Sequence, residues 1–279
     1  MVLLWGAGPV VTKLITVSPL IGAMLRFGLS IPLLFGIVGA RGGTVSSEVF
    51  ARAALPGIAF GINLMFVFAA VQEVTVAVLA VSVALQPPLL LLVAGPLFNE
   101  RPSIRQVLWT LVGVAATAGV ILGAGKELRA SALGIALSLA ALCTFTVYFA
   151  LTRLARSQTN VDPVEWMAAI NVWSFAATVP PALLLVAPSA WGDIGVSDWL
   201  WLLVLAFLTG VAGHVLMSWV HGYIEAARSS LYLLGMNITA VGLAWPVHGE
   251  EVTAIQALAG LVVLFAVANV IRSPKARPT

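Results

Sequence analysis

Five polar side chains lie inside long apolar stretches of this sequence, where they could bind a solute or move a proton. They are Arg26, Asn63, Gln86, His214 and Asn237. Ionisable and amide groups are costly in apolar surroundings, so each needs a partner or a watery cavity. Arg26 could attract a carboxylate or another anionic group, and His214 could relay a proton. The alternatives are an ion pair of Arg26 with Glu73 or Glu250, and hydrogen bonds between helices for Asn63 and His214.

Gln86 precedes Pro87-Pro88, which interrupt an apolar stretch near its middle. Proline removes a backbone donor and kinks a helix, which frees carbonyl groups one turn earlier. The corresponding place in the second half of the chain is Met236-Asn237. Polar residues at both points predict that Gln86 and Asn237 face a pathway. The alternative is a kink that shapes packing, with both amides bonded to nearby backbone.

Three further residues are candidates for lining a cavity. Trp5 and Tyr148 lie in the first and sixth apolar stretches and could stack on an apolar or aromatic solute. Asn171, in the seventh stretch, is a further candidate. Packing between helices is the alternative for Trp5 and Tyr148.

The composition predicts a protein of the lipid bilayer. Of the 279 residues, 61% are hydrophobic and 9% are charged, against roughly 25% charged in a soluble domain. Such a chain cannot cover a water-facing surface. Its net charge of +3 arises mainly from short loops, so no nucleic-acid partner is expected. A lone Cys143 excludes a disulfide framework and a cysteine metal site.

Apolar stretches between charged or Gly/Pro-containing loops predict ten transmembrane helices. Their approximate ranges are 1–17, 19–39, 53–72, 75–97, 104–123, 131–152, 164–187, 199–220, 227–248 and 253–271. The longest loops are expected near 40–52, 153–163 and 188–198. The first stretch has about 12 mostly apolar residues before Lys13, whereas ~20 are needed to cross a bilayer. We therefore expect that the native start lies upstream or that the chain has been shortened.

Successive spans cross the membrane in opposite directions, so their ends fall into two sets, one on each side. Basic residues are unevenly distributed between these two sets. One set contains Arg41, Arg52, Arg101, Arg105, Arg153, Arg156, Arg228, Arg272, Lys275 and Arg277. The other contains only Lys13, Lys126 and Arg129. Because basic residues accumulate on the cytoplasmic side, this bias predicts a multi-pass protein of the cytoplasmic membrane with both termini in the cytoplasm.

Residues 94–121 and 244–271 are copies of one another at an offset of 150. Eleven of the 28 aligned positions are identical, whereas apolar composition alone would match about 3. The copies cover spans 4–5 and 9–10, so a shift of five spans inverts one half relative to the other. We therefore expect an all-α integral membrane protein with two inverted five-helix repeats, residues 1–123 and 131–272, around a central cavity. Inverted repeats of this kind are typical of membrane carriers.

Two smaller patterns predict structural contacts. Gly57 and Gly61 are four residues apart, a spacing that lets helices approach closely. Glu100 and Glu250 end their spans, and we expect them to fix helix ends or to form gating ion pairs.

Several motifs resemble the EamA domain of the drug/metabolite transporter superfamily. The start of that domain is similar to Trp5-Gly6, Thr12-Lys13, Pro19 and Leu25-Arg26-Phe27. Its end is similar to the segment from Pro96 to Arg101, and Ala244-Trp245-Pro246 to Glu250 repeats that end. The resemblance implies a ten-helix carrier with a central pathway between its halves, and the export of amino acids or other small metabolites.

The sequence departs from its relatives at two points. When Pro163 is set against Pro19, the position that matches Arg26 in the second half is Ile170. Related four-span multidrug exporters carry a carboxylate in their first span, whereas this first span has no Asp or Glu. This argues against proton coupling through such a carboxylate.

The sequence therefore predicts a secondary carrier of small organic solutes that works by alternating access and needs no cofactor. It contains no Gly-x-x-x-x-Gly-Lys-Ser/Thr loop for ATP, no Gly-x-Ser-x-Gly elbow and no His-Glu-x-x-His zinc pair. An intramembrane enzyme and a membrane structural protein without a pathway are the alternatives. A central cavity touched by both halves would oppose the latter. A monomer in the bilayer is compatible with the sequence.

Overall fold

The described parts of the chain are almost entirely helical. The computed structural model describes residues 2–86, 88–89, 103–122, 130–157, 161–223 and 226–273. Within these ranges there is no β-strand, and the sole strand-like pairing is an isolated bridge between Val74 and Ala130. The prediction of an all-helical chain is confirmed.

The described helices are numbered here in chain order. They are α1 Val2–Thr12, α2 Pro19–Ala40, α3 Ser47–Arg52, α4 Ala54–Glu73, α5 Val76–Ala84, α6 Ile104–Leu122, α7 Ala132–Ser157, α8 Pro163–Leu185, α9 Val196–Val204, a π-helix Leu205–Gly213, α10 His214–Tyr223, α11 Ala226–His248 and α12 Ala254–Arg272. A short 3-10 helix, Pro188–Trp191, lies between α8 and α9.

Within the described ranges, five segments are long and apolar enough to cross a membrane. They are Pro19–Ala40, Ala54–Glu73, Ala132–Thr152, Pro163–Leu185 and Val196–Met217. The apolar segments Leu3–Thr12, Ile104–Val120 and Ala254–Val270 are shorter. These segments support the prediction of a multi-pass membrane protein.

Two segments that the sequence places in loops contain helical turns. Residues 188–198 include the 3-10 helix, and residues 40–52 include α3. The Ser46 hydroxyl accepts a hydrogen bond from Val49 N at 3.2 Å and so caps α3. Glu48 and Arg52 form an ion pair at 2.7 Å one turn apart on the same helix. Local capping and pairing are thus enough to form a helix of one or two turns inside a predicted loop.

The predicted break near Gln86 occurs one residue before it. Helix α5 ends at Ala84, Leu85 forms a turn, and Gln86, Pro88 and Leu89 are helical again. Leu89 N donates to Leu85 O at 3.0 Å, which restores the α-helical pattern. Pro88 accounts for the break, since it has no N–H to donate to Ala84 O and its ring crowds that carbonyl.

Most of the extensive helix contacts join elements that are far apart in sequence. Helix α1 packs against α11 and the π-helix, α2 packs against α8 and the π-helix, and α4 packs against α7 and α8. Helix α5 packs against α7 and α11, and α6 packs against α12. Residues before 123 and after 131 therefore build one interleaved bundle.

Small residues allow α4 and α8 to approach closely, as the spacing of Gly57 and Gly61 predicts. A Cβ atom at Gly57 would lie 2.6 Å from Trp173 Cβ, and one at Gly61 would lie 2.7 Å from Ser174 O. The Ser174 hydroxyl donates to Gly57 O at 2.8 Å across the same contact. Close packing and a hydrogen bond between helices replace the hydrophobic driving force that is absent between helices in lipid.

We expect Gly57→Ala to destabilise the protein by about 1–3 kcal/mol, because the added methyl group forces α4 away from α8. The measurement is the midpoint of thermal unfolding of the purified protein in detergent. Gly36→Ala is the matched control, since a Cβ at Gly36 meets no atom within 4 Å. An equal shift for both variants would show that the close approach does not stabilise the fold.

Candidate functional site

A cavity of about 130 Å³ lies in the interior of the bundle, between the two halves of the chain. Helix α1 supplies Trp5, Gly8, Pro9 and Thr12 to its wall. Helix α4 supplies Phe60, Asn63, Leu64, Val67 and Phe68. The other lining residues are Arg26, Leu79, Ala80, Val83, Phe145, Leu205, Thr209, His214, Met236, Asn237 and Ala240.

The lining residues of α1 and α4 follow the period of a helix. On α4 they occur at positions 60, 63, 64, 67 and 68, and on α1 at positions 5, 8, 9 and 12. Such spacing places them on a single face of each helix. The sequence interpretation missed Phe60 and Phe68, although their spacing from Asn63 puts them on its face. It also missed Phe145, for which no comparable signal exists in the sequence.

Arg26 is the charged residue at the centre of this site. It lies seven residues after the start of α2 and is 4% exposed. Its Nη1 atom has no hydrogen-bond partner among the described residues. The guanidinium carbon is 4.9 Å from the centre of the Phe27 ring and 5.5 Å from that of Phe60. These rings stabilise the cation in part, since their faces are electronegative.

The π-helix makes room for Trp5 and approaches Ser30 closely. A Cβ atom at Gly213 would lie 2.5 Å from Trp5 Cδ1, and one at Gly210 would lie 3.2 Å from the Ser30 hydroxyl. Glycine at these two positions therefore lets the backbone of the π-helix lie next to both side chains. Arg26 Nη2 is at ordinary contact distance, 3.5 Å from the same Gly210 Cβ position.

The ion pair of Arg26 with Glu73 or Glu250, which the sequence left as an alternative, does not form. Glu250 pairs with Lys13 instead. The Ser131 hydroxyl donates to Glu73 Oε2 at 2.7 Å. Within the described ranges no carboxylate lies at ion-pair distance from Arg26. The guanidinium is thus a buried cation beside a cavity.

His214 and Trp5 form one wall of the cavity together. The His214 ring centre is 4.5 Å from that of Trp5 and 4.9 Å from that of Phe60. His214 begins α10 directly after the π-helix and is 8% exposed. Both residues, which the sequence names as candidates, line the cavity.

Asn63 and Asn237 also line the cavity, on opposite halves of the chain. The side-chain amide of Asn63 donates to Ala141 O at 2.8 Å, across the contact between α4 and α7. Asn63 thus makes the hydrogen bond between helices that was the alternative to a site role, and it also lines the cavity. Asn237 is buried in α11, next to Met236.

Three predicted residues are not among the cavity-lining residues. Tyr148 stacks on Phe60 with ring centres 4.5 Å apart, so it supports the wall from behind. Asn171 donates to Met167 O on its own helix at 2.8 Å. Gln86 is 1% exposed, and its Nε2 atom has no partner in the described part of the chain.

An ion-pair cluster, formed by Lys13, Val74, Val76 and Glu250, joins three segments at one end of the bundle. Lys13 Nζ donates to a Glu250 oxygen and to Val74 O, the latter at 3.2 Å. The other Glu250 oxygen accepts from Val76 N at 2.7 Å, at the N-terminus of α5, where a negative charge is favourable. Thr12, which lines the cavity, is next to Lys13. The prediction that Glu250 fixes a helix end is confirmed, whereas Glu100 lies outside the described residues.

Comparison with known proteins decides the family. The EamA-like transporter family matches residues 1–122 and 132–272. The chain belongs to this family. It is therefore a membrane transporter, of a family whose members are carriers and not enzymes.

Other comparisons add only the fold. No curated protein matches the chain. A solved structure titled "Crystal structure of protein" superposes with a TM-score of 0.67 at 22% identity, and the match covers 96% of this chain and 92% of that one. Nearly the whole EamA-family chain thus shares its fold with a known structure.

We expect Arg26→Met to leave the stability of this EamA protein unchanged or to raise it. The substitution removes a buried charge that has no carboxylate partner in the described structure, so no ion pair is lost. The midpoint of thermal unfolding in detergent is the measurement.

Asp198→Asn is the matched control for a charged residue that does have partners. Asp198 is 2% exposed and accepts hydrogen bonds from Thr16 N at 2.7 Å and Gly195 N at 3.2 Å. We expect this substitution to cost about 1–3 kcal/mol. A loss of stability for Arg26→Met as large as that of the control would mean that Arg26 is structural.

Proposed function

We propose that this protein is a secondary carrier that exports small organic metabolites, amino acids or similar amphipathic solutes, across the cytoplasmic membrane. The observation that carries the proposal is the cavity between the two halves, with Arg26, which has no ion-pair partner among the described residues, in its wall. A cavity in the middle of a helical bundle, apolar with a few polar groups, is the usual form of a small-molecule site.

The pattern of helix contacts supports two pseudo-symmetric halves. Each predicted span can be paired with the span five places away in the chain, so that α1 pairs with α7 and α5 pairs with α11. Under this pairing the α1–α11 contact corresponds to the α7–α5 contact, and both are present. The same pairing turns α4–α7 into the contact of the π-helix with α1, and it leaves α2–α8 and α6–α12 unchanged. Because five is an odd number of spans, a ten-span chain with this pattern has halves of opposite orientation in the membrane.

The cavity also bears on the alternative of a structural protein without a pathway. Trp5, Phe60 and Arg26 reach it from the first half, whereas His214, Asn237 and Phe145 reach it from the second. A solute bound there contacts both halves. Rocking of one half against the other would then change which side of the membrane the solute can reach.

We assign the end of the bundle with the ion-pair cluster to the outer face. Basic residues such as Arg41 and Arg52 lie at the other ends of α2 and α4, on the side that the charge bias makes cytoplasmic. In this orientation Lys13 and Glu250, one from each half, hold the outer side together. Alternating access requires their contact to open in each transport cycle.

We expect Arg26→Ala and His214→Ala to reduce transport by at least about 10-fold while the unfolding midpoint changes little. Both substitutions remove polar groups from the cavity wall, and a tenfold loss corresponds to about 1.4 kcal/mol of solute binding. The measurement is uptake or counterflow of labelled amino acids and organic acids in proteoliposomes.

Arg41→Ala is the control for removal of a positive charge, because the Arg41 side chain is 62% exposed and directly follows the end of α2. Its transport should equal that of the unaltered chain. Failure of folded protein to move any solute of a broad panel would refute the proposed function.

We expect Glu250→Gln to open the end of the bundle with the ion-pair cluster. The substitution removes the charge that holds Lys13, so a cysteine introduced at Thr12 should react faster with a membrane-impermeant maleimide. The single native thiol is first removed by Cys143→Ala. Glu251→Gln, at an adjacent exposed residue, is the control and should leave the rate unchanged. Equal rates in both variants would show that the ion pair does not close this end.

A further inference from the structure

We propose that the cavity selects solutes by net charge, and that its preferred substrate is a monoanion: a carboxylate attached to one apolar body of about the size of a ring. This inference rests on the proposed carrier function and narrows its substrate class. It distinguishes monocarboxylates from zwitterionic amino acids, which share the carboxylate but add an ammonium group.

The described residues of the cavity wall carry positive charge and no negative charge. Arg26 contributes a full positive charge, and none of the described lining residues is an Asp or Glu. Arg26 is 4% exposed, and its Nη1 atom has no hydrogen-bond partner in the described part of the chain. A carboxylate next to Arg26 would supply the missing counter-ion through charge-assisted hydrogen bonds, which are about twice as strong as neutral ones.

The described carboxylates nearest in sequence to the cavity-lining residues already accept hydrogen bonds from other groups. Glu250 holds Lys13 and Val76 N, and Glu73 accepts from Ser131. Asp198 accepts hydrogen bonds from Thr16 and Gly195. An ammonium group that enters the cavity therefore loses its water without gaining a carboxylate. It is also repelled by Arg26, so a zwitterion binds more weakly than the anion of the same skeleton.

The rest of the wall suits an apolar body. Phe60, Phe68 and Phe145 line it together with aliphatic side chains from α5. The volume of about 130 Å³ is close to that of an engineered apolar cavity of about 150 Å³ that binds benzene. One phenyl ring or one branched aliphatic chain fits beside the carboxylate, whereas a dicarboxylate would place its second charge among aromatic rings.

Four solutes with one phenethyl skeleton isolate the effect of charge: 3-phenylpropionate, phenylalanine, phenethylamine and 3-phenylpropanamide. Their dissociation constants are measured by titration calorimetry with the full chain in detergent. We expect 3-phenylpropionate to bind at least about 10-fold more tightly than phenylalanine, and phenethylamine to bind weakest. The expected factor follows from a hydrogen-bonded charge contribution of about 1.5–3 kcal/mol.

Two variants connect this preference with Arg26. In Arg26→Gln the advantage of 3-phenylpropionate over the neutral 3-phenylpropanamide should disappear, while Arg41→Gln should keep it. Phenylalanine binding as tightly as 3-phenylpropionate to the unaltered protein overturns the inference, whether or not either variant folds. An unchanged preference in folded Arg26→Gln overturns it as well.

Transport of the same solutes in proteoliposomes separates this inference from the proposed function. If phenylalanine or other solutes move but 3-phenylpropionate does not bind, the charge selection is wrong and the carrier function stands. If no solute of the wider panel moves, both are wrong. Binding and flux of 3-phenylpropionate above those of phenylalanine support both.

Discussion

The buried cation Arg26, which has no carboxylate at ion-pair distance among the described residues, constrains how the centre of this bundle is built. Water stabilises a guanidinium strongly, and its loss inside a membrane protein must be offset by other contacts. Around Arg26 the chain provides two aromatic rings, Phe27 and Phe60. The described wall of the cavity therefore carries a positive charge without a carboxylate beside it.

Several hydroxyl groups of the surrounding helices are satisfied locally, whereas Arg26 Nη1, Trp5 Nε1 and Gln86 Nε2 have no hydrogen-bond partner among the described residues. Hydroxyl groups of Thr12, Ser30 and Thr209 donate to the carbonyl oxygen four residues earlier on their own helices. Such bonds need no second helix and remain intact when helices move. By contrast, Lys13 and Glu250 join the two halves at one end. The bundle therefore combines polar groups that are satisfied within helices with a few that depend on how the halves are arranged.

The sequence predicted an all-helical membrane protein because apolar runs in a membrane must satisfy their backbone hydrogen bonds internally. It also placed Arg26, Asn63 and His214 in a common site, since polar groups at membrane depth are costly and few. It missed Phe60, although the spacing from Asn63 puts both residues on one helix face. It also missed Phe145, because one more aromatic residue in an apolar stretch carries no signal by itself. Nor could it decide between cavity and packing for Tyr148, which is separated from the cavity by the ring of Phe60.

The π-helix between α9 and α10 changes which side of the following helix faces the cavity. Its hydrogen bonds span five residues instead of four, so each turn holds more residues than a turn of α-helix. At the offset of 150, Asn63 is aligned with Gly213, whereas the polar side chain in the cavity wall belongs to the next residue, His214. A turn of π-helix thus rotates the residues that follow it about the helix axis, which can bring a different side chain to the centre of the bundle without any change in loop length.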